Sequence, residues 1–296
     1  MHCAPLLIFT FKRLETLKET ISALQKNKLA EDTHVFIFSD GAKKEEDVET
    51  IGEIRKYLET ITGFKKVTIF AKDANQGLAA SIINGVTKII NEYGRVIVLE
   101  DDLVTSTNFL TFMNDALDYY ENNKQVFSIA GYTPAIENAK DDVYFTMRGS
   151  SWGWATWKDR WNEVSWEIKH YNELKKDGTF RKEFNKMGSD MFKMLNDQMN
   201  GKINSWAIRW VYHQFRVQKY TVFPSVSKVQ NIGMGKEATH TKHISDRFTT
   251  TLDRSDNFNF RFIDQPALND NYLKQFLRPY NLSTRMKYKV LSFLKI

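Results

Sequence analysis

The sequence is almost without cysteine: Cys3 is the single one in 296 residues. No internal disulfide and no cysteine-based zinc site can form, which fits a reducing compartment. No apolar run approaches the roughly 20 residues that cross a bilayer. The opening Met1-His2-Cys3-Ala4-Pro5 has no basic segment before an apolar stretch, so no signal peptide is expected. A glycine-rich phosphate loop and a dinucleotide fingerprint are both missing, which argues against kinase and dehydrogenase chemistry. Repeats, linkers and low-complexity segments are missing too. Acid is missing beyond Asp270.

That last absence sets the charge distribution. The net charge is +6, and residues 271–296 hold Lys274, Arg278, Arg285, Lys287, Lys289 and Lys295. The remainder is formally neutral, so a nucleic-acid surface is not expected. Helical spacing would align Met286, Val290, Phe293 and Leu294 on one stripe of a basic helix. Two readings follow: a helix docked on the protein with its lysines in water, or one meeting an anionic membrane surface.

Hydrophobic residues make up 42% and aromatics 14%, enough for a large core. Short apolar runs alternate with helical periodicity over the first 130 residues. Leu6–Phe9, Val35–Phe38, Val67–Phe70, Arg95–Leu99 and Val126–Ile129 read as strands. Between them, Leu14 to Leu24, Val48 to Ile61, Leu78 to Tyr93 and Phe109 to Tyr120 recur at helical spacing. This pattern predicts an α/β fold with a mostly parallel sheet covered on both faces. The texture changes near Gly131. Five tryptophans, Trp152, Trp154, Trp157, Trp161 and Trp166, crowd together. Helical stretches near 180–200 and 205–219 and a strand near Tyr220–Phe223 follow, in a helical and irregular sub-region.

The most informative motif is Glu100-Asp101-Asp102 behind the apolar strand. The C-terminal edge of a parallel sheet is where ligands bind. Three adjacent acids need a balancing charge, and hard oxygens suit Mg²⁺ or Mn²⁺ carrying a phosphorylated ligand. Three other strands end in polar residues at the same edge: Thr10-Phe11-Lys12-Arg13, Ser39-Asp40-Gly41 and Asn75-Gln76-Gly77-Leu78. Each alone is explained by a turn or a helix start. Their common position favours an anion at the first helix and a base or ribose hydrogen-bonded to Asp40.

Together these motifs resemble the nucleotide-sugar half of a GT-A glycosyltransferase. The Glu-Asp-Asp form is most similar to the N-acetylglucosaminyltransferase I family and its bacterial relatives. The resemblance runs from about residue 4 to about residue 245 and is strongest over 94–113. It implies a donor half at 1–130, an acceptor half of the same domain at 131–265, and a basic helical tail at 266–296. Thr10, Arg13, Gly41, Asn75, Gly77 and Leu78 would line the donor, which would be a nucleoside-diphosphate sugar, UDP-linked. Asp40 resembles the aspartate that reads uracil, Asp102 the direct Mn²⁺ ligand, and Glu100 and Asp101 its neighbours on sugar and ribose. Trp152, Gly153 and Trp154 resemble the turn beside the acceptor, a glycan or glycolipid. Asn231 to His240, through Gly233, Met234, Gly235 and Thr239, resembles a loop closing over the donor, with His240 on it.

One segment departs from the family. Trp206-Ala207-Ile208-Arg209-Trp210 aligns where two aspartates precede the second tryptophan, the second being the general base. Here Ile208 and Arg209 stand instead, and an arginine accepts no proton. Asp190 or Glu163 could act in its place, the reaction could retain configuration, or the copy could be non-catalytic. Arg209 could pair with phosphate or an acidic acceptor sugar. The expectation is a cytoplasmic, membrane-peripheral transferase of bacterial surface polysaccharide assembly. Its rivals are a nucleotidyltransferase acting on a sugar phosphate and a non-catalytic glycan-binding or assembly protein.

Overall fold

The computed structural model describes residues 3–233, 245–248 and 250–294, the side chains of 245, 246 and 292–294 excepted. His240, Met234, Gly235 and Thr239 lie outside the described residues. Among the described residues, ten strands fall at β1 Leu6–Thr10, β2 His34–Ser39, β3 Lys66–Ala71, β4 Arg95–Glu100, β5 Leu103–Thr105, β6 Val126–Ala130, β7 Val143–Thr146, β8 Trp154–Trp157, β9 Tyr220–Pro224 and β10 Val229–Asn231. The helices are α1 Leu14–Gln25, α2 Val48–Leu58, α3 Leu78–Tyr93, α4 Phe109–Tyr120, α5 Lys158–Asn162, α6 Tyr171–Leu174, α7 Gly178–Phe184, α8 Met191–Met199, α9 Trp206–Arg216, α10 Asp270–Phe276 and α11 Leu282–Leu294. Among the described residues no helix is long and apolar enough to cross a membrane.

Eight strands form one sheet in the order β3-β2-β1-β4-β8-β6-β9-β7. The first four run parallel, β8 runs against both β4 and β6, and β7 runs against β9. The side-chain period of two sorts each strand between two cores. Leu6, Ile8, Ile97 and Leu99 point into one, with Leu17 and Ile21 of α1, Ile54 of α2 and Phe112 of α4. Leu7, Phe9, Val96 and Val98 point into the other, with Ile82 and Val86 of α3 and Trp210 of α9. Val96 to Leu99 are fully buried on both faces, so the run is continuously apolar. This is the mixed α/β sheet that the periodicity implies, consistent with the GT-A arrangement that the resemblance of the motifs implies.

Three features depart from the sequence reading. The helical stretch near 180–200 is two helices, α7 and α8, separated by a 3₁₀ turn and Gly188. The short ribbon β5–β10 lies immediately after the acids and pairs Asn231 with Leu103. The segment 266–296 is not one tail. Tyr272 and Phe276 of α10 are buried with Tyr144 and Phe223, so α10 belongs to the body and only α11 stands beyond it.

Candidate active site

The site begins where β4 runs out of apolar residues. Glu100, Asp101 and Asp102 follow Leu99 at the edge where β1 and β2 also end, because all three strands are parallel and in register. Arg13, at the cap of α1, forks between the acids. Its Nη2 donates to Asp101 Oδ1 at 2.5 Å and its Nη1 to Asp102 Oδ2 at 2.7 Å. Asp101 also accepts from Thr10 Oγ1 at 2.9 Å and from the Phe11 amide at 3.2 Å. Asp101 therefore ties the β1–α1 turn to the end of β4 and has little capacity left for a ligand.

Asp102 is different. Its Oδ2 meets Arg13, and among the described residues its Oδ1 has no hydrogen-bond partner. Glu100, half-buried, has none either. Burial, then Asp102, then Asp101 push the Glu100 carboxyl up to about 8, and Arg13 only partly offsets them. Burial also raises Asp101 in spite of Arg13 and its two other donors. Burial works to lower Arg13, and the two aspartates outweigh it, so the guanidinium stays charged. Three carboxyl groups thus face a single guanidinium, and the edge is electrostatically unfinished.

The β5–β10 ribbon brings a second chain segment onto these acids. Ile232 N–H donates to the Asp102 carbonyl at 2.9 Å. Gly233 lies so close that any side chain there would collide with Asp102 Oδ2 and Arg13 Nη1. Only glycine permits this approach.

Asp40 behaves otherwise than the sequence suggests. Its carboxylate accepts from Gly41 N at 3.0 Å, Asn75 Nδ2 at 3.0 Å, Gln76 N at 2.9 Å and Gly77 N at 3.0 Å. A carboxylate offers about four acceptor positions, and the protein fills them. The resemblance has Asp40 read uracil; here its acceptor positions are met by the protein, and it clamps the β2 turn to the start of α3. Gly41 belongs to the same clamp, since a Cβ there would strike the Ala74 backbone. Asn75 and Gly77 are donors to it, and Leu78, 46% exposed, opens α3. Beside this clamp lies a cavity of ≈ 130 Å³ lined by Phe38, Phe70, Lys72, Gln76 and Lys88 among others.

A larger cavity of ≈ 180 Å³ has none of the three acids in its lining. Val98 pairs with Trp154, so the chain just before β8 runs level with the end of β4. Trp152 lines this cavity with Tyr132, Met191, Met194, Ile208, Phe248 and Tyr280. Its ring meets Tyr132 edge-on at 4.7 Å and Phe248 at 5.7 Å.

Four expected site residues do not reach this cavity as ligands. Trp154 is 1% exposed and stacks on Trp206 at 4.9 Å and Trp161 at 5.6 Å, because it points to the face opposite its strand neighbours. Gly153 is packed against Val229 and Leu99, and its carbonyl accepts from the Gly131 amide. Arg209, unlike Ile208 beside it, does not line the cavity; it is bonded to the Ser205 carbonyl and lies near the Trp166 ring. Glu163 pairs with Lys219 at the start of β9, the opposite edge of the sheet from the acids.

Asp190 does approach the cavity wall but is occupied. Arg148 grips both its oxygens at 2.8 and 3.0 Å. Burial favours its neutral form, yet Arg148 wins and holds the carboxyl below the ordinary range. An acid so held is a poor proton acceptor. Among the described residues lining the cavity there is no Asp or Glu. Arg148, Tyr132, Met191, Met194, Phe248 and Tyr280 have no local sequence signal; only long-range packing assembles them. Among the described residues no three ligating side chains converge as a ready metal cage.

Comparison with known proteins places this architecture. No curated protein matches the chain. Among solved structures, the mannosyltransferase PcManGT from Pyrobaculum calidifontis, in complex with GDP-Man and Mn²⁺, is similar at 11% identity and TM-score 0.38, over 53% of this chain and 44% of its own. S. aureus TarS is similar at 13% identity and TM-score 0.33, over 47% of this chain and 22% of its own. The chain thus spans less than half the length of either. The family model that matches does so over residues 6–193, more than half of the sequence and the whole acid-bearing sheet edge, and by that match the chain belongs to glycosyl transferase family 2.

Proposed function

We propose that the chain transfers a hexosyl or N-acetylhexosaminyl group from a UDP-linked sugar to a glycan or glycolipid acceptor, in bacterial surface polysaccharide assembly. The observation that carries the reading is the unfinished edge: three carboxyl groups, one guanidinium, and Asp102 Oδ1 without a partner among the described residues. An all-oxygen donor set with surplus negative charge fits Mn²⁺ or Mg²⁺. With no three-ligand cage, the protein would supply one or two carboxylates and the donor's phosphates the rest. A divalent cation bound there supplies Lewis-acid neutralisation of the departing diphosphate.

The chain's own residues do the remaining work. Asp101, fixed by Thr10, Phe11 and Arg13, sets the height of Asp102 at the strand end. Gly233 lets the 229–233 segment lie directly on that edge and helps exclude water from it. Asp40, Asn75 and Gly77 hold the two neighbouring turns in one rigid lip, so a nucleoside resting there meets a preformed surface. Trp152, partly exposed and backed by the buried Tyr132, offers aromatic surface to an acceptor sugar ring. Asp190 and Glu163, both ion-paired, are not free to take the acceptor proton.

Titration calorimetry with UDP, with and without Mn²⁺, tests the reading. UDP should bind tightly only with Mn²⁺, and Asp102→Asn should abolish the difference. Equal binding by parent and variant would remove the metal from Asp102.

A further inference from the structure

Helix α11 carries a face that the site does not use. Leu282, Met286 and Val290, at successive turns of one face, are 60%, 59% and 56% exposed. The opposite side is the one that packs. Thr284, Tyr288 and Leu291 are partly covered, and Arg285 donates to Ser189 Oγ at 2.8 Å. Isolated exposed leucines are ordinary, but three large apolar side chains in a row on one helix are not.

Charge decides what covers them. Lys287 and Lys289 flank the stripe and are exposed. Residues 271–296 contain six cations and no acid, while residues 1–270 are formally neutral. A second copy would bring cation onto cation. An anionic bilayer instead matches both halves of the pattern, with apolar side chains entering the acyl boundary and lysines meeting headgroups. We propose that α11 is an interfacial helix that seats Leu282, Met286 and Val290 in an anionic membrane surface. Tyr280, which lines the larger cavity, stands just before α11. Docking therefore holds that cavity wall beside the bilayer, whatever the cavity binds.

The test is flotation of the full chain with phosphatidylcholine vesicles and with vesicles containing phosphatidylglycerol. The parent should float with the anionic vesicles only and be released by salt. Met286→Glu/Val290→Glu should reduce partitioning by at least about 100-fold, since each side chain loses its apolar burial. Lys287→Gln/Lys289→Gln should reduce it by roughly 25-fold, about fivefold per cation. Melting temperatures should be unchanged in both variants, because all four side chains are exposed. Absence of flotation by the parent, or flotation indifferent to both variants, would overturn the proposal. So would a concentration-dependent dimer that the glutamate variant abolishes while flotation stays absent, since the stripe would then cover a second copy.

Discussion

Arg13→Ala probes the electrostatics of the site directly. The guanidinium is the one cation within hydrogen-bond reach of the acids among the described residues, and it is only 23% exposed. Removing it leaves Asp101 and Asp102 adjacent, nearly buried and without a counter-charge. Breaking such a pair from one side costs about 3–5 kcal/mol, and partial exposure favours the lower end, ~3 kcal/mol. The unfolding entropy is roughly 2.1 cal/mol/K per residue, so for 296 residues the melting temperature should fall by ~5 °C. Scanning calorimetry in EDTA measures it. Saturating Mn²⁺ should return most of the loss, because a cation bound at the same carboxylates stabilises the folded state by mass action. Arg13→Ala/Asp102→Asn should also recover part of it without metal, because one of the repelling charges is gone. A melting temperature within about 1 °C of the parent, or a Mn²⁺ shift no larger than the parent's, would refute the reasoning.

Other perturbations separate site from scaffold. Gly233→Ala should weaken Mn²⁺-dependent UDP binding by at least about tenfold, the equivalent of about 1.4 kcal/mol, with little change in secondary structure by circular dichroism. Asp40→Ala should strip four hydrogen bonds from the clamp and lower thermal stability as well as nucleotide affinity; a loss of affinity with unchanged stability would restore it as a base-reading residue. Trp154→Ala should cost ~3–5 kcal/mol in denaturant unfolding as a core cavity, whereas Trp152→Ala should spare stability and raise KM for the acceptor. The buried Lys228–Asp253 pair, with Asn108 also donating, holds Asp253 at about 2 against the opposing effect of burial. A depressed folded value stabilises above the unfolded one, near 3.9, and that stability is lost as pH falls toward about 2. Asp253→Asn should therefore flatten the acid limb of the stability curve between about pH 4 and about pH 2.

The first half of the fold is legible because its information is local. β1 to β4 are strands of five or six residues with apolar centres, joined by helices with clear periodicity, and Glu100-Asp101-Asp102 stand out where such a centre stops. The second half depends on partners far along the chain. β5, β7, β8 and β10 are three or four residues long, too short to carry a period of their own. Trp152 and Trp154 look alike as a motif, yet the left-handed turn at Gly153 breaks the alternation, so Trp154 enters the core with β8 and Trp152 stays at the cavity. Asp40 reads as a free acceptor until residues 75–77 fold back onto it. Asp190 reads as a base until Arg148, on a different segment, claims both oxygens. No spacing in the sequence announces Gly233 against Asp102. That contact depends on a ribbon that pairs Thr105 with Val229 and Leu103 with Asn231, two segments from opposite halves of the chain.

The central claim, that the acids at the end of β4 hold the diphosphate of a nucleotide sugar, is tested most directly by product analysis. Purified chain is incubated with UDP-sugars or with nucleoside triphosphate and a sugar phosphate, with Mn²⁺ or EDTA, and the released phosphates are resolved. The expected result is UDP released from a UDP-sugar, dependent on Mn²⁺ and absent with Asp102→Asn. Pyrophosphate released from the triphosphate, or UDP release that survives Asp102→Asn unchanged, would contradict it.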